Sequence, residues 1–94
     1  MPKFEVAHIK EQGVDLIIIP IEDSFRLKSQ KDQDAAIAEL QVRASSAGLA
    51  GTVVPVWDGG SGRMAFRAPR GFHPFFESIN LAVVATNINR ELSW

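Results

Sequence analysis

The sequence contains no cysteine, which excludes a disulfide framework, thiolate metal sites and cysteine nucleophiles. An excess of charge is also missing: ten lysines and arginines face eleven aspartates and glutamates, for a formal net charge of -1. This balance produces no global electric field that would draw the protein to nucleic acid or to an acidic membrane. Any binding of that kind therefore has to come from a local cluster of charges.

Long apolar runs are absent as well. No stretch approaches the roughly 18 apolar residues that a membrane span requires, and the early apolar run over residues 14–21 is preceded by acids rather than by the basic start of a signal peptide. With no cysteine to suggest an oxidising compartment, we expect a cytoplasmic protein without a membrane partner.

Apolar residues make up 46% of the 94 positions and charged residues 22%. These proportions are ordinary for a folded globular protein, and a chain of this length can bury one hydrophobic core but not two. We therefore expect a single α+β domain over residues 1–94.

Residues 14–21 form the most densely apolar stretch and predict a central β-strand. Their β-branched side chains favour an extended backbone, and eight residues ending near a proline are too few for an ordinary helix. Side chains alternate along a strand, so both faces of this one should be apolar. The two faces are expected to carry Val14, Leu16 and Ile18, and Ile17, Ile19 and Ile21, respectively.

The segments on either side of this strand predict a hairpin and a helix. Residues 2–10 alternate in the manner of a strand, and Gly13 supplies the turn of an antiparallel hairpin. Residues 32–47 carry apolar side chains three or four positions apart, which indicates a helix. Ser29 or Asp32 can cap its amino end, and Gly48 stands where a left-handed carboxyl cap is expected.

The second half of the chain predicts another hairpin. Residues 51–57 and 64–68 favour extended backbone, and the Asp58-Gly-Gly-Ser-Gly62 segment between them is typical of a turn. A phosphate-binding loop is the other reading of these glycines. The segment lacks the glycine-lysine-serine ending of such a loop and joins two strands, so we interpret it as a hairpin turn.

The last twenty residues fit two patterns. Apolar residues from Phe76 to Leu92 fit helical spacing, while residues 84–94 also alternate as in a strand. We predict a helix, because the segment is long for a strand and contains no turn signal. The alternative is a short helix near residues 74–79 followed by a final strand.

These elements follow the order ββαββα and predict a two-layer α+β sandwich, in which two helices pack on a four-stranded, mainly antiparallel sheet. In the alternative, the chain ends in a short helix and a fifth strand. If both helices lie on one face, the second apolar face of residues 14–21 stays open. An exposed patch of that size usually marks a partner surface, so we predict a homodimer formed through the sheet face.

The sharpest candidate for a binding site lies in residues 63–76, where arginines and a histidine alternate with aromatic residues and no acid intervenes. Arginine binds phosphate or carboxylate with two parallel hydrogen bonds, and aromatic faces stack on nucleic-acid bases. The same pattern also fits a plain structural role, with the phenylalanines in the core and the arginines on a solvated face. The predicted ligand-binding residues are Arg63, Arg67, Arg70, Phe72 and His73.

The two histidines give weak signals for chemistry. Neither His8 nor His73 has a second ligand at metal-binding spacing, so we predict no metal site and no cofactor. His73 is the better candidate for acid/base work, with Asp58 or Glu77 to orient it, although a loop histidine often has no special role.

Three functional hypotheses remain. The first is a non-enzymatic, homodimeric interaction or accessory module whose arginine-aromatic loop binds an acidic partner. The second is a protein that binds nucleic acid or a phosphorylated ligand through the same residues. The third is a small enzyme that uses His73. No motif of a known family stands in the sequence to choose between them.

Overall fold

The computed structural model describes residues 3–11, 13–60 and 62–93. Within these residues, five strands and three α-helices form one sheet with helices packed on it. Their bounds are β1 (Lys3–Glu11), β2 (Val14–Pro20), α1 (Gln30–Ser46), β3 (Thr52–Asp58), β4 (Met64–Phe66), α2 (His73–Glu77), α3 (Leu81–Thr86) and β5 (Arg90–Ser93). Two short 3₁₀ turns lie at Asp23–Leu27 and Arg70–Phe72. Among the described helices, none has the length and apolarity that crossing a membrane requires.

The strand order in the sheet is β4-β3-β2-β1-β5. β2 and β3 run parallel, and every other neighbouring pair is antiparallel. The α+β class and the mostly antiparallel sheet are therefore confirmed, and β2 lies at its centre as its apolar sequence predicts. The tail follows the alternative prediction, because it ends in β5, which pairs with β1 at the edge of the sheet. The predicted turn at 58–62 is confirmed as a β3–β4 hairpin, although Ser61 lies outside the described residues.

α1 connects the two parallel strands, which need such a crossover because a tight turn cannot join them. The helix begins after Ser29, whose Oγ accepts a hydrogen bond from the Asp32 N–H at 3.1 Å. It ends before Gly48, which has a φ of 84°. Both predicted caps are confirmed, and Leu40 and Ala44 form the buried part of the helix.

The helices divide between the two faces of the sheet. α1 covers one face, where Leu40 and Ala44 pack on a cluster contributed by four strands: Val6, Ile17, Ile19, Val53 and Leu92. α2 and α3 cover the other face, where Phe76 and Val84 pack on Ala7, Leu16, Ile18, Val54 and Val56. The alternation predicted for β2 is confirmed. The predicted open sheet face is wrong, because Phe76 of α2 and Val84 of α3 pack on it, and the homodimer predicted through that face stays a prediction.

β4 pairs with only part of β3. Where this pairing ends, a side chain of α1 forms hydrogen bonds with the backbone in place of a strand. The Pro55 carbonyl accepts a hydrogen bond from the Arg67 N–H at 3.1 Å, but a proline has no N–H to return, so the ladder ends there. Beyond that point, Gln41 Nε2 donates to the Gly51 carbonyl at 3.0 Å, and its Oε1 accepts from the Val53 N–H at 2.9 Å. The amide thus replaces the missing strand and fixes α1 against the sheet.

Candidate functional site

The five predicted ligand-binding residues do not form one surface. Arg63 is exposed at the end of the β3–β4 turn, and Arg67 follows β4. Arg70 is exposed in the 3₁₀ turn, Phe72 is half-buried against the α2–α3 side of the core, and His73 begins α2. The structure turns Arg67 towards α1 and places Arg63 at a cavity on the opposite side of the sheet.

Arg67 has a structural partner on α1. Its Nη2 donates to Asp34 Oδ1 at 2.8 Å, and its Nη1 donates to Gln33 Oε1 at 3.0 Å. The ion pair is partly exposed, with one third of the arginine side chain accessible, so its contribution to stability is modest. Both terminal nitrogens of the guanidinium donate hydrogen bonds to α1. Arg67 therefore joins the end of β4 to the first turns of this helix.

His73 is held in place by one hydrogen bond and one ring contact. Its Nε2 lies 2.9 Å from the Ala68 carbonyl oxygen, and because a carbonyl only accepts, this nitrogen donates. Its ring packs edge-on against Phe66 at a centroid distance of 5.3 Å. Within the part of the chain that the structure describes, neither Asp58 nor Glu77 forms a hydrogen bond or ion pair with it.

His8 is likewise engaged with the backbone. Its Nε2 contacts the Ala50 carbonyl at 2.8 Å, which ties β1 to the loop before β3. Across the sheet, the Asn89 amide accepts from the His8 N–H and donates to the His8 carbonyl, both at 2.9 Å. Residues 3–11, 13–60 and 62–93 contain no group of three histidine, cysteine, aspartate or glutamate side chains that could hold a metal ion.

The predicted arginine-aromatic stretch does build one cavity, of about 460 Å³, which we call the Arg63 cavity. β4 directs Met64 and Phe66 to the side of the sheet that α2 covers, and both pack against the core there. The β3–β4 turn closes one end of the cavity and the segment after α2 closes the other. Its walls and rim are formed by Arg63, Met64, Phe66, Phe76, Glu77 and Ile79, together with Gly62 and Asn80.

The Arg63 cavity combines apolar walls with charge at its rim. The Phe66 and Phe76 rings lie 5.3 Å apart between centroids, tilted by 32°, and Phe76 is buried. Arg63 and Glu77 are both exposed. Among the described residues, neither of these two side chains takes part in an ion pair. The cavity can therefore hold an apolar body with a charged group at its mouth.

The turn that precedes β4 sets the position of Arg63. Its N–H donates to the Gly60 carbonyl at 3.0 Å, and its carbonyl accepts from the Gly59 N–H at 2.8 Å. The Asp58 carboxylate also accepts from the Gly60 N–H at 2.9 Å, which stabilises the turn. These hydrogen bonds hold the backbone of Arg63 while its side chain stays accessible.

Two further cavities lie on the α1 side of the sheet. One, of about 490 Å³, lies between the Asp23–Leu27 turn and α1, with Phe4, Ile21 and Leu40 among its walls. The other, of about 390 Å³, lies beside α1 where Gln41 and Arg67 make the contacts described above. The second is bordered by charges that are already paired with each other.

The sequence indicates Arg63 as a binding residue, but it gives no sign that Met64 and Ile79 are walls of the cavity, and Glu77, predicted to orient His73, lines this cavity instead. The apolar positions of β4 and the segment after α2 were visible as core residues, and nothing in the sequence indicates that they enclose a space. Comparisons with models of protein families, with curated proteins and with solved structures found no match for this chain.

Proposed function

We propose that this protein is a non-enzymatic binding module that holds the anionic group of a small, largely apolar ligand in the Arg63 cavity. The observation that carries the proposal is the exposed Arg63 guanidinium, which forms no ion pair within the described residues, at the mouth of a cavity walled by Phe66 and Phe76. The acidic partner expected from the sequence is thereby narrowed to a compact ligand.

The guanidinium and the apolar walls of the Arg63 cavity contribute to binding in different ways. A guanidinium presents a planar fork of donors that matches a carboxylate or phosphate, and this geometry gives orientation as well as attraction. Apolar walls supply affinity by removing apolar ligand surface from water, and ligand sites commonly join such walls to a few polar groups. A volume of about 460 Å³ suits a ligand of this kind.

The two alternative functions have less support. Binding of single-stranded nucleic acid uses a continuous basic groove with stacking platforms, whereas Arg67 is bonded to Asp34 on the far side of the sheet from Arg63. Catalysis by His73 needs a proton acceptor or donor beside bound substrate, and its Nε2 is bonded to a backbone carbonyl.

The proposal is tested by titrating the ¹⁵N-labelled protein with 3-phenylpropionate and with phenyl phosphate at low salt, following amide chemical shifts. Either probe is expected to shift the amides of Arg63, Phe66 and Phe76 in a saturable manner. Arg63→Met should weaken binding about fivefold, the effect of losing one solvent-accessible ion pair.

The matched control is Arg70→Met, since Arg70 is an exposed arginine in the neighbouring 3₁₀ turn and does not line the cavity. The affinity of Arg70→Met for both probes should equal that of the unaltered protein. The proposal is wrong if neither probe produces saturable shifts around the cavity, or if the two arginine variants weaken binding equally.

A further inference from the structure

The Arg63 cavity carries a second charge whose sign is opposite to that of Arg63. Glu77 is the last residue of α2, is exposed, and lines the same cavity. The Arg63 guanidinium and the Glu77 carboxylate are not within ion-pair distance of each other. The cavity therefore presents two separate charged groups to one ligand.

We infer that the ligand is a zwitterion: a free α-amino acid with an apolar or aromatic side chain. Its carboxylate bonds to Arg63 and its ammonium group to Glu77. Its side chain lies against Phe66, Phe76 and Ile79, which form the apolar part of the cavity. This inference rests on the proposed function and adds to it the requirement for a cationic group.

A zwitterion is favoured over a ligand of a single charge because the cavity presents one positive and one negative group. A purely anionic ligand attracted by Arg63 also meets the negative charge of Glu77, and a purely cationic ligand meets the opposite conflict. A zwitterion forms both attractive contacts and neither repulsive one. Selectivity of this kind arises as much from penalising the wrong ligand as from attracting the right one.

The apolar walls indicate which amino acids fit. The half-buried Phe66 ring lines the cavity and lies against the buried Phe76 ring at a centroid distance of 5.3 Å, so we expect an aromatic ligand ring to pack edge-on or offset mainly against Phe66. The Asn80 side chain lines the same cavity, but its Oδ1 already accepts from the Val83 N–H at 3.0 Å, as the cap of α3. Met64, Phe66 and Ile79 supply the apolar part of the lining, so we expect phenylalanine or leucine to bind more tightly than serine or aspartate.

Three probes of one shape separate the two charged contacts. L-phenylalanine carries both groups, 3-phenylpropionate carries only the carboxylate, and phenethylamine carries only the ammonium. We expect L-phenylalanine to bind about fivefold more tightly than either 3-phenylpropionate or phenethylamine, the gain of one exposed ion pair. Dissociation constants come from amide-shift titrations of the full chain.

Two variants assign the contacts, and a third serves as the control. Glu77→Gln should abolish the preference for L-phenylalanine over 3-phenylpropionate, while Arg63→Met should weaken the binding of both. Glu22→Gln removes an exposed carboxylate that does not line this cavity, and it should leave all three affinities unchanged.

The outcomes distinguish this inference from the proposed function. Suppose that 3-phenylpropionate binds and that Arg63→Met weakens this binding. If L-phenylalanine then binds no more tightly than 3-phenylpropionate, or keeps the same advantage in Glu77→Gln, the zwitterion is wrong and the anion site stands. If no probe binds around the cavity, both are wrong. A preference that disappears in Glu77→Gln and persists in Glu22→Gln supports both.

Discussion

At the scale of single residues, two side-chain amides complete the sheet where its strands run out. Gln41 bonds to the Val53 N–H of β3 and to the Gly51 carbonyl just before it, and Asn89 bonds to the N–H and the carbonyl of His8 on β1. Each amide offers one donor and one acceptor, the same pair that a neighbouring strand would offer. Exposed ladder positions are thereby satisfied without lengthening β4 or β5.

Gly51 is the residue with the least tolerance for substitution. Its φ is 127°, and a Cβ added there would come within 2.5 Å of the Asp15 backbone oxygen. Gly51→Ala should lower the free energy of unfolding by at least about 2 kcal/mol, since both the backbone conformation and the contact with β2 are unfavourable. Urea denaturation measures the change.

Gly71→Ala is the matched control for Gly51→Ala. Gly71 has a negative φ and open space around its Cα, so its replacement by alanine should leave stability unchanged or raise it slightly. Equal stabilities of the two variants would show that β2 and the loop before β3 are not in close contact.

The position of Arg63 also explains why the site could be predicted only in part. Arg63 and Arg67 are both odd-numbered, and simple alternation along a strand would place them on one face. Arg63, however, precedes β4, and the hydrogen bonds of the turn set its direction. Sequence spacing identifies the residue types of a binding site, but not the direction that a turn imposes on them.

At the scale of elements, the parts predicted well are those whose signal is local and long. α1 has seventeen residues, apolar side chains three or four positions apart and two caps, and β1 and β2 are joined by a turn at Gly13. The tail was ambiguous because α2 and α3 have only five and six residues, too few to establish a helical period. The distribution of helices between the two faces follows from the parallel pairing of β2 and β3, which no single segment reveals.

α3 should be needed for stability because it covers the second face of the sheet. Val84 is 1% exposed and packs in the cluster with Leu16 and Ile18, whereas its neighbour Val83 is 40% exposed. Val84→Ala should cost about 2 kcal/mol, from two buried methyl groups and the space they leave.

Val83→Ala makes the same chemical change at the next position of the same helix, so helix propensity cancels in the comparison. It should alter the free energy of unfolding by no more than about 0.5 kcal/mol. If thermal or urea unfolding shows equal losses for Val83 and Val84, α3 does not cover the sheet as described.

At the scale of the whole molecule, α1 packs on one face of the described sheet, and α2 and α3 pack on the other. The edge strands β4 and β5 have three and four residues. β5 also carries Arg90 and Glu91, both exposed. Short length and charge are the features by which proteins prevent edge strands from pairing with other chains.

We therefore expect a monomer in solution at tens of micromolar, because residues 16–19 of β2 are buried and pack in clusters with residues of α1, α2 and α3 of the same chain. Light scattering over a concentration series, at low and at high salt, should give the mass of one chain throughout. A dimer that persists at high salt would contradict this expectation, since charge pairing is screened under those conditions and only apolar burial or strand pairing would survive. Repeating the series with Val84→Ala then separates these two origins: opening the second face should promote apolar association, whereas pairing through the edge strands should be unaffected.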